Sequence, residues 1–181
     1  ELIDKPFLIS VNISHSAGER GLYASQMGPS WLASFRKSGN TQIQLVALNT
    51  SYTAANAPMK ATLEQSFSNS LLGSAAIASA AHPQRKSVLI DAGFLLTDLP
   101  GYSTALERPY RLPYSLDRNN SNFETVRANE DQTTLNARIH FATPRIPAPP
   151  LMPAPSPSPM PTPPTTTPDP RSLFVGWVYN F

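Results

Sequence analysis

A chain of 181 residues, 40% of them apolar, is long enough to bury the core of one domain. Its 14 Lys and Arg nearly balance 12 Asp and Glu, and its basic doublets, Arg36-Lys37 and Arg85-Lys86, lie far apart, which argues against a nucleic-acid-binding face. The absence of cysteine excludes a disulfide framework and a Cys-ligated zinc site, and no apolar run reaches the roughly 18 residues that span a bilayer.

The first half of the chain begins with strand patterns separated by turn signals. Residues 7–13 alternate, with Phe7, Ile9, Val11 and Ile13 on one face, as a half-buried strand does. Residues 14–30 contain Ser, Gly and Pro and predict a long loop. Residues 31–37 and 42–52 flank a turn at Gly39, so the sequence predicts an antiparallel hairpin there.

The middle of the chain breaks this strand pattern. Residues 59–72 place Met59, Leu63, Phe67 and Leu71 at a spacing of four, which predicts one amphipathic helix closed by Gly73. Residues 88–90 predict a short, fully apolar strand. Residues 107–131 are polar and rich in Arg, Asn and Asp, and no helix or strand is assigned to them.

The C-terminal part contains two further strand patterns around a proline-rich segment. Residues 135–141 and 173–181 alternate between apolar and polar side chains, and 144–170 hold 13 of the 20 prolines. Proline lacks the backbone donor and fixes φ, so the segment predicts an extended spacer or a surface-loop insertion, favoured over a ligand for a proline-recognition domain. We therefore expect a strand-rich globular domain over 1–143, a spacer or loop insertion over 144–170, and a returning strand of the same domain over 171–181.

The fold class that these patterns predict is α+β, mainly antiparallel β, with one or two short helices and a proline-rich loop insertion. Because the chain opens at Glu1 directly before a strand pattern, with no signal peptide, we interpret it as a fragment or a processed form.

The sequence offers no motif that carries chemistry. His15, His82 and His140 are at least 58 residues apart, so no zincin helix can bring two of them to one face, and each is interpreted as an ordinary surface histidine. Asp91 follows an apolar strand pattern, and a turn-capping role is favoured over catalysis. No serine-nucleophile elbow or phosphate-binding glycine loop is present. The residues thus predict no catalytic, cofactor-binding or metal-binding site in this chain.

Short segments in a fixed order carry more information than any motif. They are Lys5-Pro-Phe-Leu-Ile-Ser-Val-Asn-Ile-Ser14, Ser66-Phe-Ser-Asn-Ser-Leu-Leu72, Ser87-Val-Leu-Ile-Asp-Ala92, Leu95-Leu-Thr-Asp-Leu-Pro100, Leu106-Glu-Arg-Pro-Tyr-Arg111, Tyr114-Ser-Leu-Asp117, Asn120-Ser121, Ile139-His-Phe-Ala-Thr143 and Pro168-Asp-Pro-Arg-Ser-Leu-Phe-Val-Gly176. In this order they resemble a bacterial domain of unknown function that precedes the catalytic domain in a family of exported zinc-dependent metalloproteases.

The resemblance implies a setting for the chain. It would be an exported bacterial region, periplasmic or extracellular, N-terminal to a metzincin-like domain whose zinc motif would lie beyond Phe181. Zinc is expected in that absent domain and no cofactor in this chain. The implied partners are the catalytic domain of the same polypeptide and a peptide or protein substrate, without nucleic acid and without a transmembrane segment.

Two functions from different classes follow from these observations. The first is a non-catalytic N-terminal accessory region of an exported zinc metalloprotease, which packs against the catalytic domain or shapes access to it. In that case the parent protein would be a zinc metallopeptidase, although this chain has no catalytic motif. The alternative is a stand-alone exported binding or surface-assembly module with a proline-rich tether. An independent hydrolase is the least favoured hypothesis.

Overall fold

The computed structural model describes residues 3–148 and 160–181. Within these residues most elements are strands, and the strand pairs described below are antiparallel, which confirms the predicted fold class. The strands are β1 Pro6–His15, β2 Gln26–Ser38, β3 Gln42–Ala47, β4 Ser70–Ala76, β5 Ser115–Ala128, β6 Thr133–Ala142 and β7 Ser172–Asn180. The helices are α1 Ala57–Ser66 and α2 Tyr102–Tyr110, and a 3-10 turn spans Ala92–Leu95. None of the helices in the described residues is long and apolar enough to cross a membrane.

The chain divides into two compact units, and β1 and β2 each contribute residues to both. The first unit contains the residues up to Ser10, Ser30–Leu95 and Phe181, and its strands follow the order β4-β3-β2-β1. The second contains Val11–Pro29 and the described part of Leu96–Asn180, and its strands follow the order β1-β7-β6-β5.

The first unit is built on the hairpin of β2 and β3. The two strands pair from Ala33 opposite Ala47 to Ser38 opposite Gln42, and Gly39 supplies the positive φ of the turn, so the predicted hairpin is confirmed. The β3 side chains of Ile43, Leu45 and Val46 are buried. Strand β3 ends at Ala47, short of the predicted residue 52.

Helix α1 differs from the predicted helix over 59–72. Its N-cap is Asn56, whose Oδ1 accepts a hydrogen bond of 3.0 Å from the backbone N–H of Met59, and the helix ends at Ser66 with no buried residue. The predicted end of the helix is wrong because residues 70–76 form β4 and pair with β3. There Gly73 approaches the ring of Phe94 so closely that an added Cβ would lie 2.6 Å from Phe94 Cδ2. Pairing with β3 therefore outweighs the four-residue apolar spacing.

Residues 88–90 also differ from the predicted strand. They carry only an isolated bridge between Ile90 and Ile77, and the chain then enters the 3-10 turn at Ala92.

The second unit buries one face of β6 and β7, as the alternation in both segments predicts. The buried side chains are Ala137, Ile139 and Phe141 on β6 and Leu173, Val175, Trp177 and Tyr179 on β7. The two strands pair from Thr134 opposite Asn180 to Ala142 opposite Ser172. Helix α2 adds three buried side chains, those of Tyr102, Leu106 and Tyr110.

Strand β5 was not predicted from the sequence. It covers 14 residues of the polar stretch over 107–131, and only Ser121 on it is buried. Because β5 buries almost nothing, it has no period-two apolar pattern. Its pairing with β6 is also irregular, since the register shifts between Asp117 and Asn122.

Part of the proline-rich segment lies against the second unit. Within the predicted segment 144–170, residues 149–159 lie outside the described residues. We call residues 160–170 the return segment. In it, the backbone N–H of Thr162 donates to the carbonyl of Tyr110 at 2.8 Å, and the hydroxyl of Thr166 donates to the carbonyl of Ala17 at 2.7 Å. Composition predicted an extended spacer or a surface-loop insertion, and these hydrogen bonds dock the return segment on the second unit.

Candidate functional site

A polar cluster of Asp117, His140 and Ser172 links three neighbouring strands of the second unit. His140 Nδ1 lies 3.0 Å from Asp117 Oδ2, and His140 Nε2 lies 2.8 Å from Ser172 Oγ. Asp117 is directly opposite His140 in the β5–β6 pairing, and Ser172 is diagonal to it on β7. Side chains alternate between the faces of a sheet, so these three share the face opposite the buried Ile139 and Leu173.

The register shift of β5 between Asp117 and Asn122 positions the carboxylate of Asp117. Asn120 Nδ2 donates to Asp117 Oδ2 at 2.6 Å, and the backbone N–H of Asn119 donates to Oδ1 at 3.1 Å. Ser121 Oγ donates to the carbonyl of Asp117 at 2.7 Å and accepts from the backbone N–H of His140 at 3.0 Å. The hydrogen bond from Asn120, followed by that from His140, lowers the pKa of Asp117, so the carboxylate stays ionised.

A tilted aromatic contact with Phe174 covers the imidazole. The ring of Phe174 lies 4.9 Å from the ring of His140, and the guanidinium carbon of Arg138 lies 3.6 Å from the centre of the Phe174 ring. The His140 side chain is only 12% exposed as a result, against 30% for Asp117. His140 is therefore held by two hydrogen bonds and one aromatic contact.

A groove of about 600 Å³ borders this cluster. Ser172 and Phe174 belong both to the groove and to the contacts of His140. Its other walls are residues 14–17, Glu124, Arg138 and residues 166–168 of the return segment. At Gly176 an added Cβ would lie 2.5 Å from Ser14 Oγ, so glycine lets β7 approach this wall without displacing the Ser14 hydroxyl.

The order Asp-His-Ser is that of a relay that activates a serine nucleophile. Such a serine also needs backbone N–H groups that face the developing oxyanion. Here the N–H groups of Arg171 and Ser172 both donate to Asp169, at 2.9 Å and 3.1 Å. Ser172 also begins a regular strand and does not occupy a sharp strand-to-helix turn. The cluster is thus built to cross-link β5, β6 and β7, since each member satisfies a polar group of the neighbouring strand.

The three histidines occupy different settings. His15 is exposed and lines the groove, and His82 Nδ1 accepts hydrogen bonds from the backbone N–H groups of Gln84 and Arg85 at 3.3 Å and 3.1 Å. His140, interpreted from the sequence as an ordinary surface histidine, is instead the centre of the cluster. The only sequence signal was its place on the polar face of a strand. Its partners are 23 and 32 residues away and become visible only in the strand registers.

Two of the aspartates, Asp91 and Asp98, cap local structure. Asp91 Oδ1 accepts from the backbone N–H of Gly93 at 2.8 Å, which confirms its predicted turn-capping role. Asp98 caps α2 by accepting from the backbone N–H groups of Tyr102 and Ser103 at 2.6 Å and 3.0 Å. In the described part of the chain no group of three or more His, Cys, Asp or Glu is arranged to hold a metal ion.

The fold and the cluster define a class: a mainly antiparallel β domain with short helices and a polar cluster that crosses three strands. Comparison with protein-family models, with curated proteins and with solved structures finds no match.

Proposed function

We propose that this chain is the non-catalytic N-terminal accessory region of an exported zinc metalloprotease, and that it packs against the catalytic domain or shapes access to it. The proposal rests on one observation: the segments that carry the family resemblance also supply the residues of the polar cluster. Four segments that resemble the metalloprotease-associated domain, 114–117, 120–121, 139–143 and 168–176, supply Asp117, Asn120, Ser121, His140, Ser172 and Phe174. Segments that are scattered in the sequence thus meet in one set of contacts.

The cluster suits an accessory role because it makes one face rigid. Three cross-strand hydrogen bonds and an aromatic contact fix the side chains that border the groove. A rigid face loses little conformational entropy when another surface docks on it. On this proposal the groove beside Ser172 and Phe174 faces the substrate or the catalytic domain.

The alternative, a stand-alone exported binding or surface-assembly module, is favoured by one feature of the same site. The groove of about 600 Å³ is complete within the second unit and needs no second domain to form its walls. A small ligand or a peptide side chain could occupy it directly.

The reading frame and the activity of its full product test the accessory role. We expect the codons after Phe181 to encode a His-Glu-x-x-His motif, and the full protein to cleave an unstructured protein substrate in a zinc-dependent way. In the full protein, His140→Ala with Ser172→Ala should change kcat/KM for a protein substrate more than for a short peptide. The exposed Met27→Ala variant is the matched control.

Two results would overturn this proposal. One is a reading frame without a zinc motif, which would leave the stand-alone module. The other is a full protein whose cleavage is unchanged when residues 1–181 are deleted.

A further inference from the structure

A second groove, of about 650 Å³, lies in the first unit and has a mainly apolar lining. Its apolar side chains come from four parts of the chain: Ile3, Phe35 on β2, Ile43 on β3, and Val88 with Ile90. Ile43 is buried, whereas Ile3 is 41% exposed. The groove thus has a packed floor and an accessible apolar side.

A basic rim borders this groove. Arg85 and Lys86 line it next to Ser87. The turn that carries them is closed by hydrogen bonds from His82 N–H to the Ser87 carbonyl at 2.8 Å and from Lys86 N–H to the His82 carbonyl at 2.9 Å. Lys86 takes a positive φ of 57° in this turn. The two cations are therefore attached to a fixed backbone.

These cations have no acidic partner in the part of the chain that the structure describes. The ion pairs found there join His140 to Asp117 and Arg171 to Asp169. A rim with two unpaired cations beside an apolar floor is complementary to a ligand with carboxylates next to apolar groups.

The backbone beside the groove indicates which kind of ligand fits. Leu89 uses its carbonyl to accept from Ala78 N–H at 2.8 Å and its N–H to donate to Ser79 Oγ at 2.9 Å. Neighbouring residues of an extended chain direct these groups to opposite sides. The N–H and C=O of Val88 have no hydrogen-bond partner among the described residues. An extended peptide can pair with both groups, whereas an ionised fatty acid has no donor for the Val88 carbonyl.

We propose that this groove binds an extended peptide segment in which apolar side chains stand next to carboxylates. The apolar side chains would contact Phe35, Ile43 and Val88, the carboxylates would meet Arg85 and Lys86, and the peptide backbone would pair with Val88. This inference is independent of the accessory role proposed above, because it concerns the other unit.

A set of labelled peptides tests the proposal. The probe is a fluorescein-labelled hexapeptide with a central Leu-Phe pair followed by two Asp, compared with versions that carry Lys or Ser in place of Asp and with one N-methylated along its backbone. Anisotropy with the full 181-residue chain should give the acidic peptide an affinity at least about tenfold above the Lys version and the N-methylated version. Arg85→Ala with Lys86→Ala should weaken the acidic peptide by about tenfold or more, while Arg118→Ala with Arg127→Ala, at two exposed arginines of β5 in the other unit, should not.

Each contrary result has a definite meaning. Equal affinities for the acidic and basic peptides, or no binding up to about 1 mM, would overturn the proposal. Tighter binding of decanoate than of any peptide would overturn the proposal in favour of a lipid ligand. Dimers that disappear in the Arg85→Ala and Lys86→Ala variant would overturn it in favour of a second copy of the chain. Unchanged circular dichroism of the variants ensures that a loss of binding reports the rim and not unfolding.

Discussion

Glu19 accepts hydrogen bonds from both the backbone N–H and the hydroxyl of Thr165, at 2.9 Å and 2.6 Å, across 146 residues of sequence. The hydroxyl of Tyr110 also donates to Glu19, at 3.1 Å. The hydroxyl of Thr165 is the main cause that lowers the pKa of Glu19. One carboxylate thus joins the loop after β1, the end of α2 and the return segment.

Glu19→Gln should release the return segment without unfolding the second unit. An amide has only one acceptor oxygen, so the variant cannot accept all three hydrogen bonds, and we expect a loss of about 1 kcal/mol in the free energy of unfolding. Limited proteolysis should cut the 160–170 region faster than in the parent protein. Glu130→Gln, on an exposed turn, is the matched control. Unchanged cleavage in the Glu19 variant would show that the contacts to Ala17 and Tyr110 suffice.

The same carboxylate predicts an effect of acid. Because its pKa is lowered in the folded state, the unfolded chain takes up a proton at a higher pH than the folded chain. The contribution of Glu19 to stability is therefore present above the ordinary glutamate pKa and is lost as the pH falls towards the lowered value. Urea unfolding of the parent and the Glu19→Gln variant should converge over this range; a constant difference would contradict the assignment.

Substitution of Trp177 should lower the free energy of unfolding more than substitution of most other residues of the second unit. It is fully buried, with its ring 6.1 Å from that of Phe141 and 6.3 Å from that of Tyr179. Trp177→Ala removes a large buried side chain and should cost about 3–5 kcal/mol, measured by chemical denaturation. Met27→Ala, at a side chain 81% exposed, should change stability by less than about 0.5 kcal/mol. Similar losses at both positions would contradict the burial of β7.

Two glycines of the second unit should respond differently to alanine. At Gly28 an added Cβ would overlap the carbonyl oxygen of Val11, which is part of the backbone and cannot move away cheaply. At Gly176 the nearest atom is Ser14 Oγ, at 2.5 Å, which a rotamer change can move, and the next are His15 Cβ at 3.0 Å and His15 N at 3.1 Å, which need to shift by only a few tenths of an ångström. We expect Gly28→Ala to cost about 1–3 kcal/mol and Gly176→Ala less.

Ser14→Ala supplies the control for this comparison. It should recover part of the loss caused by Gly176→Ala, since it removes the nearest atom, but none of the loss caused by Gly28→Ala. Thermal unfolding of the single and double variants measures this; a Gly176 variant that loses more than the Gly28 variant would refute the ranking.

Alkaline pH should destabilise the second unit through its buried tyrosines. Burial, followed by the charge of Asp169, raises the pKa of Tyr114 to about 12. The unfolded chain releases this proton near the ordinary tyrosine value of about 10, so stability falls as the pH rises from there through the folded pKa. Tyr114→Phe should reduce this slope, and the exposed Tyr23→Phe should not. Denaturant titration at a series of pH values measures how the free energy of unfolding changes with pH. The same slope in both variants would contradict the prediction.

The polar cluster should show coupling between His140 and Ser172. A double-mutant cycle with His140→Ala and Ser172→Ala should give an interaction energy of about 0.5–1.5 kcal/mol, because their side chains share a hydrogen bond of 2.8 Å. The same cycle with His140→Ala and Ser115→Ala should give almost none, since Ser115 donates to Ala142 and not to the imidazole. Additive losses in the first cycle would show that the hydrogen bond contributes nothing measurable.

The sequence predicted those parts of the fold in which one side of an element is buried. Strands β1, β6 and β7 bury every second side chain, and the hairpin of β2 and β3 has a turn glycine, so local patterns sufficed. The sequence-based prediction failed for elements whose buried side chains do not repeat at a regular spacing. Strand β5 buries only Ser121 and so shows no apolar alternation. Helix α1 buries nothing, so the four-residue apolar spacing over 59–72 did not mark its limits.

Composition and local spacing by themselves determined that this chain is a mainly antiparallel β protein without a recognisable catalytic motif. Tertiary structure alone decided where its polar side chains meet. Asp117, His140 and Ser172 are distant in sequence, and only the registers of β5 with β6 and of β6 with β7 bring them onto one face. Likewise, proline content predicted a spacer or a surface-loop insertion but not where it docks. Glu19 accepts a hydrogen bond from Thr165 across 146 residues, and this contact depends on the folded path of the chain and leaves no mark in local composition.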